Sequence, residues 1–398
     1  MSNFQGIRRR TWAEIDLDSA KKNYLSVREA VGSDVKVCCV IKANAYGHGA
    51  ERMAALYEQM GADYLAVSNI EEALQLRKKN IRTPILILGY TPEECAGVLS
   101  LNNITQTVYS YEYGKKLAKI AGELSVKVKI HIKIDTGMGR IGFLCRGENS
   151  DELDLAAEIC RDDSLIPEGI FTHFAVADEN TDGDDFTARQ MRFFEYAIEC
   201  LAERGITFDI RHAANSAAIF DHPECHLDMV RAGIVLYGLR PSEKIRRLPK
   251  LYPVMSLKSV VSHIKDVSVG ETLSYGRSFM ANRNTTVATV PIGYADGFWR
   301  INGTGNGYML VNGKHVPIIG RICMDQLMLD VNELDCKVGD VVTVFGDDSV
   351  CSADAIAQRN GTINYEIVCA IGVRVPRAFI SDGSITEWQD SIYKEDLI

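Results

Sequence analysis

Hydrophobic and polar positions along the chain follow two different patterns. From Trp12 to about Gly238, short apolar runs alternate with amphipathic stretches in which apolar residues recur at helical spacing. We expect strands in eight runs, namely Val35–Ile41, Tyr64–Val67, Ile85–Leu88, Thr105–Val108, Val126–Ile134, Gly169–Phe174, Thr207–Ile210 and Met229–Leu236. Helices are expected between them, for example over Ile70–Lys79, Glu112–Leu124 and Phe186–Arg204. Such alternation is typical of parallel strands joined by crossover helices.

Eight strand–helix units within roughly 230 residues predict a (β/α)8 barrel. An open, doubly wound sheet is the alternative, and its dinucleotide-binding form would carry G-x-G-x-x-G after the first strand. Here the first strand is followed by Lys-Ala-Asn-Ala-Tyr-Gly-His-Gly at residues 42–49 instead. We therefore predict an α/β fold of the TIM-barrel type over residues 12–242.

The second half of the chain has shorter runs. Residues 241–253 are rich in proline and charge and resemble a linker. The β-type runs that follow are Lys258–Ile264, Thr286–Val290, Tyr308–Val311, His315–Ile319, Gln326–Val331 and Val341–Phe345, with a helical stretch at Ala353–Gln358. Gly, Asn and Asp turns separate them, which predicts a mainly antiparallel β domain over residues 243–398, together with residues 1–11.

Composition narrows the range of partners. The chain has 398 residues, enough for two domains, with 46% hydrophobic and 24% charged residues. A net charge of −9 argues against a nucleic-acid partner. No window approaches the roughly 18 apolar residues of a membrane span. The first residues also lack the apolar stretch of a secretory signal. We expect a cytoplasmic protein without a nucleic-acid or membrane partner.

The cysteines and the one histidine–cysteine cluster predict neither disulfides nor a metal. Eleven cysteines are scattered without a C-x-x-C pair, which is typical of reduced thiols in the cytosol. His222, Cys225 and His226 lie close together, but their spacing fits no standard four-ligand zinc pattern. The glycine-rich segment Gly303–Gly307 precedes a β run, so we expect a hairpin turn rather than a nucleotide loop.

Lys42 is the first candidate for a catalytic residue, because it lies where a predicted buried strand meets a loop. A half-desolvated lysine has a lowered pKa, and its neutral amine can attack a carbonyl. The alternative is a strand-end lysine whose amine simply reaches water.

Other candidate residues lie at or after the ends of the predicted barrel strands, where barrel active sites form and phosphates commonly bind. They are Tyr46, Lys133, Asp135, Arg140, His173, His212, Asn215, Ser216, Arg231, Gly233 and Ile234. The Ser216 hydroxyl and the backbone of Gly233 and Ile234 could donate to a phosphate. A lysine able to form a Schiff base, next to a phosphate site, indicates pyridoxal phosphate.

Three motifs give a family resemblance. They are Lys42–Gly49, Ser274–Gly276 (Ser-Tyr-Gly) and Gly320–Gln326 (GRICMDQ). The sequence resembles the alanine racemase family, the fold-type-III pyridoxal-phosphate racemases. The resemblance extends from Thr11–Leu17 to Gly361–Arg377, nearly the whole chain.

The resemblance implies a role for each matching residue. Lys42 would carry the cofactor and act as one base, and Tyr275 would act as the other from the partner subunit of a homodimer. The implied cofactor contacts are Lys42, Tyr46, His173, Asn215, Ser216, Arg231, Gly233, Ile234 and Tyr365. The implied substrate-side residues are Arg140, Met324, Lys133, Tyr294 and Asp325. Lys133 matches a lysine that is often carbamylated, and His173 and His212 would join Arg231 and Tyr275 in one network.

Arg231 bears on the reaction type. A guanidinium stays protonated, so it would donate to the cofactor's pyridine nitrogen without protonating it, and the ring would be the weaker electron sink that suits racemisation. A carboxylate at this position would suit the decarboxylases that share the fold. Because apolar pockets discriminate one hydroxyl weakly, a serine or broad small-amino-acid racemase is an open alternative, although bulky Tyr365 favours alanine. The implied function is interconversion of L- and D-alanine, which supplies D-alanine for peptidoglycan.

Overall fold

The apolar runs of the first half form a nearly closed parallel barrel. The structure is a computed structural model that describes residues 10–147, 151–179 and 181–392. In that part of the chain, eight strands lie side by side in the order Met229–Ala232, Lys36–Val40, Tyr64–Val67, Ile85–Ile87, Ile104–Val108, Val128–Asp135, Leu165–Phe171 and Ile210–His212. Every paired neighbour is parallel. The Arg231 N–H donates at 3.0 Å to the carbonyl of Ala214, two residues after the strand Ile210–His212, so the two ends of the sheet approach each other.

Helices follow the strands and cover the barrel. They are Leu17–Val31, Ala50–Gln59, Ile70–Lys78, Ala96–Leu101, Tyr111–Glu123, Glu152–Cys160, Thr181–Glu203 and Ala218–Asp221. Ile70–Lys78 shows how the sequence sets their bounds. The Asn69 side chain accepts the Glu72 N–H at 3.0 Å, acidic residues occupy the first turn, and basic residues occupy the last. Both ends therefore suit the helix dipole.

The second half forms an antiparallel sheet, as expected. Its strands, in spatial order among the described residues, are His263–Val267, Thr285–Val290, Leu327–Asp330, Lys314–Ile319, Tyr308–Val311, Val341–Phe345, Met255–Val260, Thr11–Asp16, Arg377–Ser381 and Ser384–Gln389. A separate hairpin pairs Thr272–Leu273 with Phe279–Met280, and two helices, Ala353–Asn360 and Asn364–Cys369, lie beside the sheet. The predicted fold, a (β/α)8 barrel followed by a mainly antiparallel β domain, is confirmed.

Two local expectations differ from the structure. The strand Thr11–Asp16 pairs with Met255–Val260 and with Arg377–Ser381, so it lies in the second sheet. We therefore propose that the barrel unit begins after Asp16 rather than at residue 12. Gly303–Gly307 follows a 3-10 turn, Arg300–Asn302, and forms a turn that does not join two paired strands. The expectation of a hairpin there was wrong.

One hydrophobic core runs from the barrel into the second sheet. It joins Ile41 and Tyr46 near the first barrel strand to Val368 and Phe379 of the second half. All eleven cysteines lie within the described residues and have free thiols. The described helices include none with the length and apolar character needed to cross a membrane.

Candidate active site

The chain leaves the first barrel strand in an unusual turn. Lys42–Tyr46 follows the strand directly, and Ala43, Asn44, Ala45 and Tyr46 all have φ between 52° and 54°. A left-handed conformation costs an L-residue about 1–2 kcal/mol, so four in succession need compensating contacts. The turn sets the direction in which Lys42 leaves the strand.

Side chains at both ends hold this turn. Glu72 Oε1 accepts the Ala43 N–H at 2.6 Å, and Asn44 Oδ1 accepts the Ala50 N–H at 2.8 Å. The first contact satisfies an N–H group of the left-handed turn, and the second satisfies one at the start of the helix Ala50–Gln59. The sequence reading missed Glu72, which lies 29 residues from its partner in the chain.

The second half of the chain also grips the turn, through Arg377. Its buried guanidinium donates from Nε to the Gly47 carbonyl at 3.0 Å and from its other nitrogens to three carbonyls of the second half. Those three belong to Ile371, Gly372 and Val375, at 2.6–2.8 Å. Gly47, at φ +84°, packs so closely that a Cβ there would lie 2.3 Å from the Val368 carbonyl oxygen. We call this contact the Arg377 clasp.

Lys42 is half-buried and has the electrostatics of a reactive amine. Burial lowers the pKa of Lys42, and the charge of Arg140 lowers it further, while Glu72 and Cys369 act in the opposite direction. A larger share of neutral amine makes Lys42 a better nucleophile and base.

Two hydroxyl-bearing side chains, Tyr46 at the end of the turn and Ser216, lie on either side of Gly233. The Gly233 N–H donates to Ser216 Oγ at 2.8 Å, which leaves the hydroxyl hydrogen of Ser216 free to point elsewhere. A Cβ on Gly233 would lie 3.0 Å from the Tyr46 hydroxyl and 3.4 Å from Ser216 Oγ, so the glycine keeps this space open. The Tyr365 ring lies 6.0 Å from the Tyr46 ring, centroid to centroid. We call Gly233 and the hydroxyls of Tyr46 and Ser216 the hydroxyl cradle.

Ile234 and Asn215 also lie at this end of the barrel. Ile234 begins a 3-10 turn, so its N–H has no partner within that turn. The Asn215 side chain instead accepts the N–H groups of Ala217 and Ala218 at 3.2 and 3.1 Å and so holds its own loop. Its cofactor contact stays a prediction.

Arg231 is buried and has four hydrogen-bond partners. It is 4% exposed, and its Nη2 donates to the Thr172 and Ala213 carbonyls at 2.8 and 2.9 Å. It also donates to His212 Nδ1 at 2.9 Å and to His173 Nδ1 at 3.2 Å. Burial lowers the pKa of Arg231 to about 10, so the guanidinium stays charged at neutral pH. Burial, with the charge of Arg231, holds the pKa of both histidines well below the usual range.

Lys133 is buried near Arg231 and has few polar contacts. It is 3% exposed, its Nζ donates to the Ile134 carbonyl at 2.6 Å, and the Nζ lies 5.5 Å from the Phe171 ring centroid. Burial, then the charge of Arg231, lowers the pKa of Lys133 to about 7. Arg140 is exposed at the barrel mouth, and its charge contributes to the same lowering. A substantial share of Lys133 is therefore neutral near pH 7.

The expected residues of the second half form a separate patch. Tyr275 is 66%, Tyr294 42% and Met324 53% exposed. Backbone bonds from Tyr294 and Ala295 to the loop that carries Met324 hold two of these segments together, at 3.2 and 3.1 Å. Among the described residues, no hydrogen bond, ion pair or ring contact joins Tyr275, Tyr294 or Met324 to Lys42 or Arg231. We call these three residues the exposed patch.

Asp296 organises the loop behind the exposed patch, and the sequence reading missed it. It is fully buried and accepts from Arg10 Nη2 at 2.6 Å and from Arg374 Nε at 2.8 Å. Arg374 Nη2 also donates to Asp325 at 2.6 Å. Asp325 is therefore paired with an arginine in the single chain, and its substrate-side role stays a prediction. Asp296 stands just before Gly297 in the short segment Gly293–Gly297, and this charged residue in a turn was the available signal for a structural role.

The chain was compared with known families and proteins. Residues 15–241 match the family described as "Alanine racemase, N-terminal domain", and residues 254–379 match "Alanine racemase, C-terminal domain". An alanine racemase of Methanococcus maripaludis is 46% identical over 93% of this chain and 98% of its own. The structure of an alanine racemase of Clostridium difficile is 43% identical, with a TM-score of 0.91 over 96% of this chain and 99% of that one. An alanine racemase of Bacillus anthracis with bound L-Ala-P is 38% identical, with a TM-score of 0.90 over 96% of this chain and 98% of that one.

Proposed function

Because the chain belongs to the alanine racemase family of isomerases, we propose that it interconverts L- and D-alanine with pyridoxal phosphate and two bases. The observation that carries this proposal is the meeting of Lys42, the hydroxyl cradle and Arg231 at the carboxyl end of the barrel. An amine, an anion site and a fixed cation are what a phosphorylated pyridine aldehyde requires.

The residues present fit that cofactor. Tyr46 and Ser216 offer hydroxyls to the phosphate in a space that only glycine at position 233 leaves open. Lys42, with its lowered pKa, would hold the cofactor covalently. Arg231 has donors only, so it would offer a hydrogen bond and no acceptor to a ring nitrogen. Tyr365 stands beside the cradle.

The side chains divide the reaction between them. When bound, pyridoxal phosphate supplies the electron sink for the α-carbon from which a proton is removed. Lys42 would take or return the proton on one face, and Tyr275 would do so on the other. Arg231 keeps its proton at neutral pH, and its four partners hold the guanidinium in one orientation. Arg140 and Met324 would orient the substrate carboxylate.

We further propose that Lys133 is carbamylated. The neutral amine is the form that reacts with carbon dioxide, and a pKa of about 7 makes it available. The product would turn a buried cation into an anion near Arg140. That change would remove the repulsion between Lys133 and Arg231, which now lowers the pKa of Lys133.

The exposed patch supports a homodimer with shared sites. Tyr275 is 66% exposed in one chain, although a catalytic base needs a defined position next to its substrate. A second copy that places its exposed patch over the barrel mouth would bring Tyr275 opposite Lys42. Two-fold symmetry would then complete both sites at once.

A direct assay tests the activity. Purified protein is incubated with each small L-amino acid in turn, and the D-product is scored by chiral chromatography. We expect D-alanine as the main product, with less D-serine. A protein that contains the cofactor and yields neither product would refute the proposal.

Mixed dimers test the sharing of sites. Lys42→Ala and Tyr275→Ala are each expected to be inactive, but a dimer containing one chain of each has one site with both bases intact. Co-expression should therefore restore about a quarter of the wild-type rate if subunits pair at random in two-fold dimers. If both bases came from the same chain, no mixture would regain activity.

We also propose a cytoplasmic enzyme that supplies D-alanine for peptidoglycan. Eleven free thiols suit a reducing compartment. Depletion of the protein should then make growth depend on added D-alanine.

A further inference from the structure

A line of buried polar side chains runs down the inside of the barrel from Arg231. Arg231 Nη1 contacts His212 Nδ1 at 2.9 Å, and His212 Nε2 contacts His131 Nδ1 at 2.8 Å. His131 Nε2 then lies 3.6 Å from Glu168 Oε2, longer than a hydrogen bond but with no other described partner. Barrel interiors are usually filled by branched apolar side chains, so this line is an exception.

Neighbouring residues leave space for this line of side chains, which consists of Arg231, His212, His131 and Glu168. His131 and His212 are both fully buried, and a Cβ on Gly169 would lie 2.6 Å from the His131 ring. The Phe171 ring stacks on His212 at 4.7 Å between centroids and 9° between planes. Both imidazoles therefore have one orientation, and only the position of their protons is open.

The residues at the two ends of the line, Arg231 and Glu168, favour the same proton positions. A guanidinium has donors only, so His212 Nδ1 must accept and a neutral His212 must carry its proton on Nε2. That proton points at His131 Nδ1, which must accept in turn, so the proton of His131 lies on Nε2 and faces the Glu168 carboxylate. Each imidazole accepts on the side of Arg231 and donates on the side of Glu168.

The charges at the lower end agree with this direction. Burial would raise the pKa of Glu168, but contacts with His131, Tyr64 and Lys129 outweigh it and lower the pKa to about 2. Tyr64 donates at 2.7 Å, and Lys129 lies at 3.1 Å. Burial lowers the pKa of His131 although Glu168 acts against it, and Arg231 adds to the lowering. The line therefore ends in a carboxylate and contains two neutral rings.

We propose that Glu168 and His131 are positioning residues that fix, together with Arg231, the hydrogen-bond direction of His212 and thereby hold the Arg231 guanidinium in one orientation toward the active site. The proposal rests on the proposed function, in which Arg231 faces the cofactor ring. If His212 carried its proton on Nδ1, two N–H groups would oppose each other at 2.9 Å and Arg231 would be displaced.

Nitrogen-15 NMR tests the proton positions directly. The full chain, labelled at its eight histidines, is measured with and without pyridoxal phosphate, and His131→Gln and His212→Gln identify the two signals. We expect both rings to be neutral, with the proton on Nε2, across the pH range in which the protein stays folded. A protonated Nδ1 on His212, or a charged ring, would overturn the proposal.

Glu168→Gln tests the end of the line. An amide offers a donor as well as an acceptor, so only the contact with Arg231 still favours the original direction, and a share of the reversed tautomers of His131 and His212 should appear beside the original ones. We expect kcat to fall by about tenfold, the equivalent of one hydrogen bond to a charged group, with little change in KM. Tyr64→Phe is the matched control, because it removes a donor to Glu168 but leaves the carboxylate, and it should keep the wild-type tautomers.

The outcomes separate this proposal from the proposed function. Single tautomers and an unchanged kcat in Glu168→Gln would overturn the role of Glu168, even in an active racemase. Because the NMR signals are recorded without cofactor as well, an absence of racemisation would refute the function and leave the tautomer assignment standing.

Discussion

Gly233→Ala should weaken binding of pyridoxal phosphate by filling the hydroxyl cradle. The added Cβ would lie 3.0 Å from the Tyr46 hydroxyl and 3.4 Å from Ser216 Oγ. At these distances the methyl group occupies the space in which both hydroxyls would reach a phosphate. The substitution leaves the hydrogen-bonding groups of Tyr46 and Ser216 chemically intact.

The expected loss follows from the number of contacts affected. A hydrogen bond to a charged group contributes about 1.5–3 kcal/mol, so loss of one such bond weakens binding by about 10- to 100-fold. Ser216→Ala removes one donor directly and should cost a similar amount. Because both changes act on the same hydroxyl, the double variant should lose less than the sum of the two.

The assay compares two ligands on one protein. Dissociation constants are measured by absorbance for pyridoxal phosphate and for pyridoxal, which lacks the phosphate. Gly233→Ala should weaken the first and leave the second nearly unchanged. Gly147→Ala serves as the control, because a Cβ there meets nothing within 4 Å.

Two results would refute this reasoning. Equal weakening of both ligands would show that Gly233 supports the fold of the site rather than the phosphate. Unchanged binding of pyridoxal phosphate would show that the phosphate lies elsewhere, and the hydroxyl cradle would lose its assignment.

Three further predictions concern the reaction, the substrate and pH. Arg231→Glu should reduce racemisation roughly 100-fold and increase pyruvate formation, because a carboxylate favours protonation of the ring. Both products are measured by chromatography, and an unchanged rate would show that Arg231 does not contact the ring. Tyr365→Ser should raise the ratio of serine to alanine turnover by about tenfold, measured as kcat/KM. Burial lowers the pKa of Lys133 from 10.5 to about 7, so between these values the unfolded chain binds the extra proton and stability rises with pH. Lys133→Met should therefore raise the free energy of unfolding by up to about 4 kcal/mol below pH 7 and by little above pH 10. Urea unfolding in buffer free of carbon dioxide measures this difference. An equal effect at both pH values would contradict the lowered pKa of Lys133.

The barrel could be predicted because its signals are local. The strand Lys36–Val40 is mostly apolar and Lys42 follows two residues after it, whereas the strand Val128–Asp135 carries Lys133 and Asp135 at its own carboxyl end. Alternating strands and helices then fix the parallel order, since crossover helices allow few other arrangements. The polar residues at strand ends followed from that order, and the structure brings Lys42, the hydroxyl cradle and Arg231 to the same end.

The parts that could not be predicted depend on distant partners. Nothing in Lys-Ala-Asn-Ala-Tyr indicates four left-handed residues, because the contacts that hold them come from Glu72 and from Arg377, 330 residues beyond Gly47. The place of Thr11–Asp16 depends on strands more than 200 residues away. His131 and Glu168 were accessible in part. His131 alternates with Lys133 along one face of a strand, which marks both as interior.

The Arg377 clasp limits how this protein could be divided or recombined. The Arg377 guanidinium donates to one carbonyl next to the lysine turn and to three carbonyls of the second half. Separating the barrel from the second half would therefore leave the second half with a buried cation that lacks one partner, and the barrel with an unsupported turn. A barrel expressed alone should therefore keep its strands but lose the fixed orientation of Lys42. An evolutionary path to a single-barrel relative would require a residue within the barrel that replaces Arg377. Chimaeras that exchange the second half should hold the lysine turn only when they keep the Arg377 clasp.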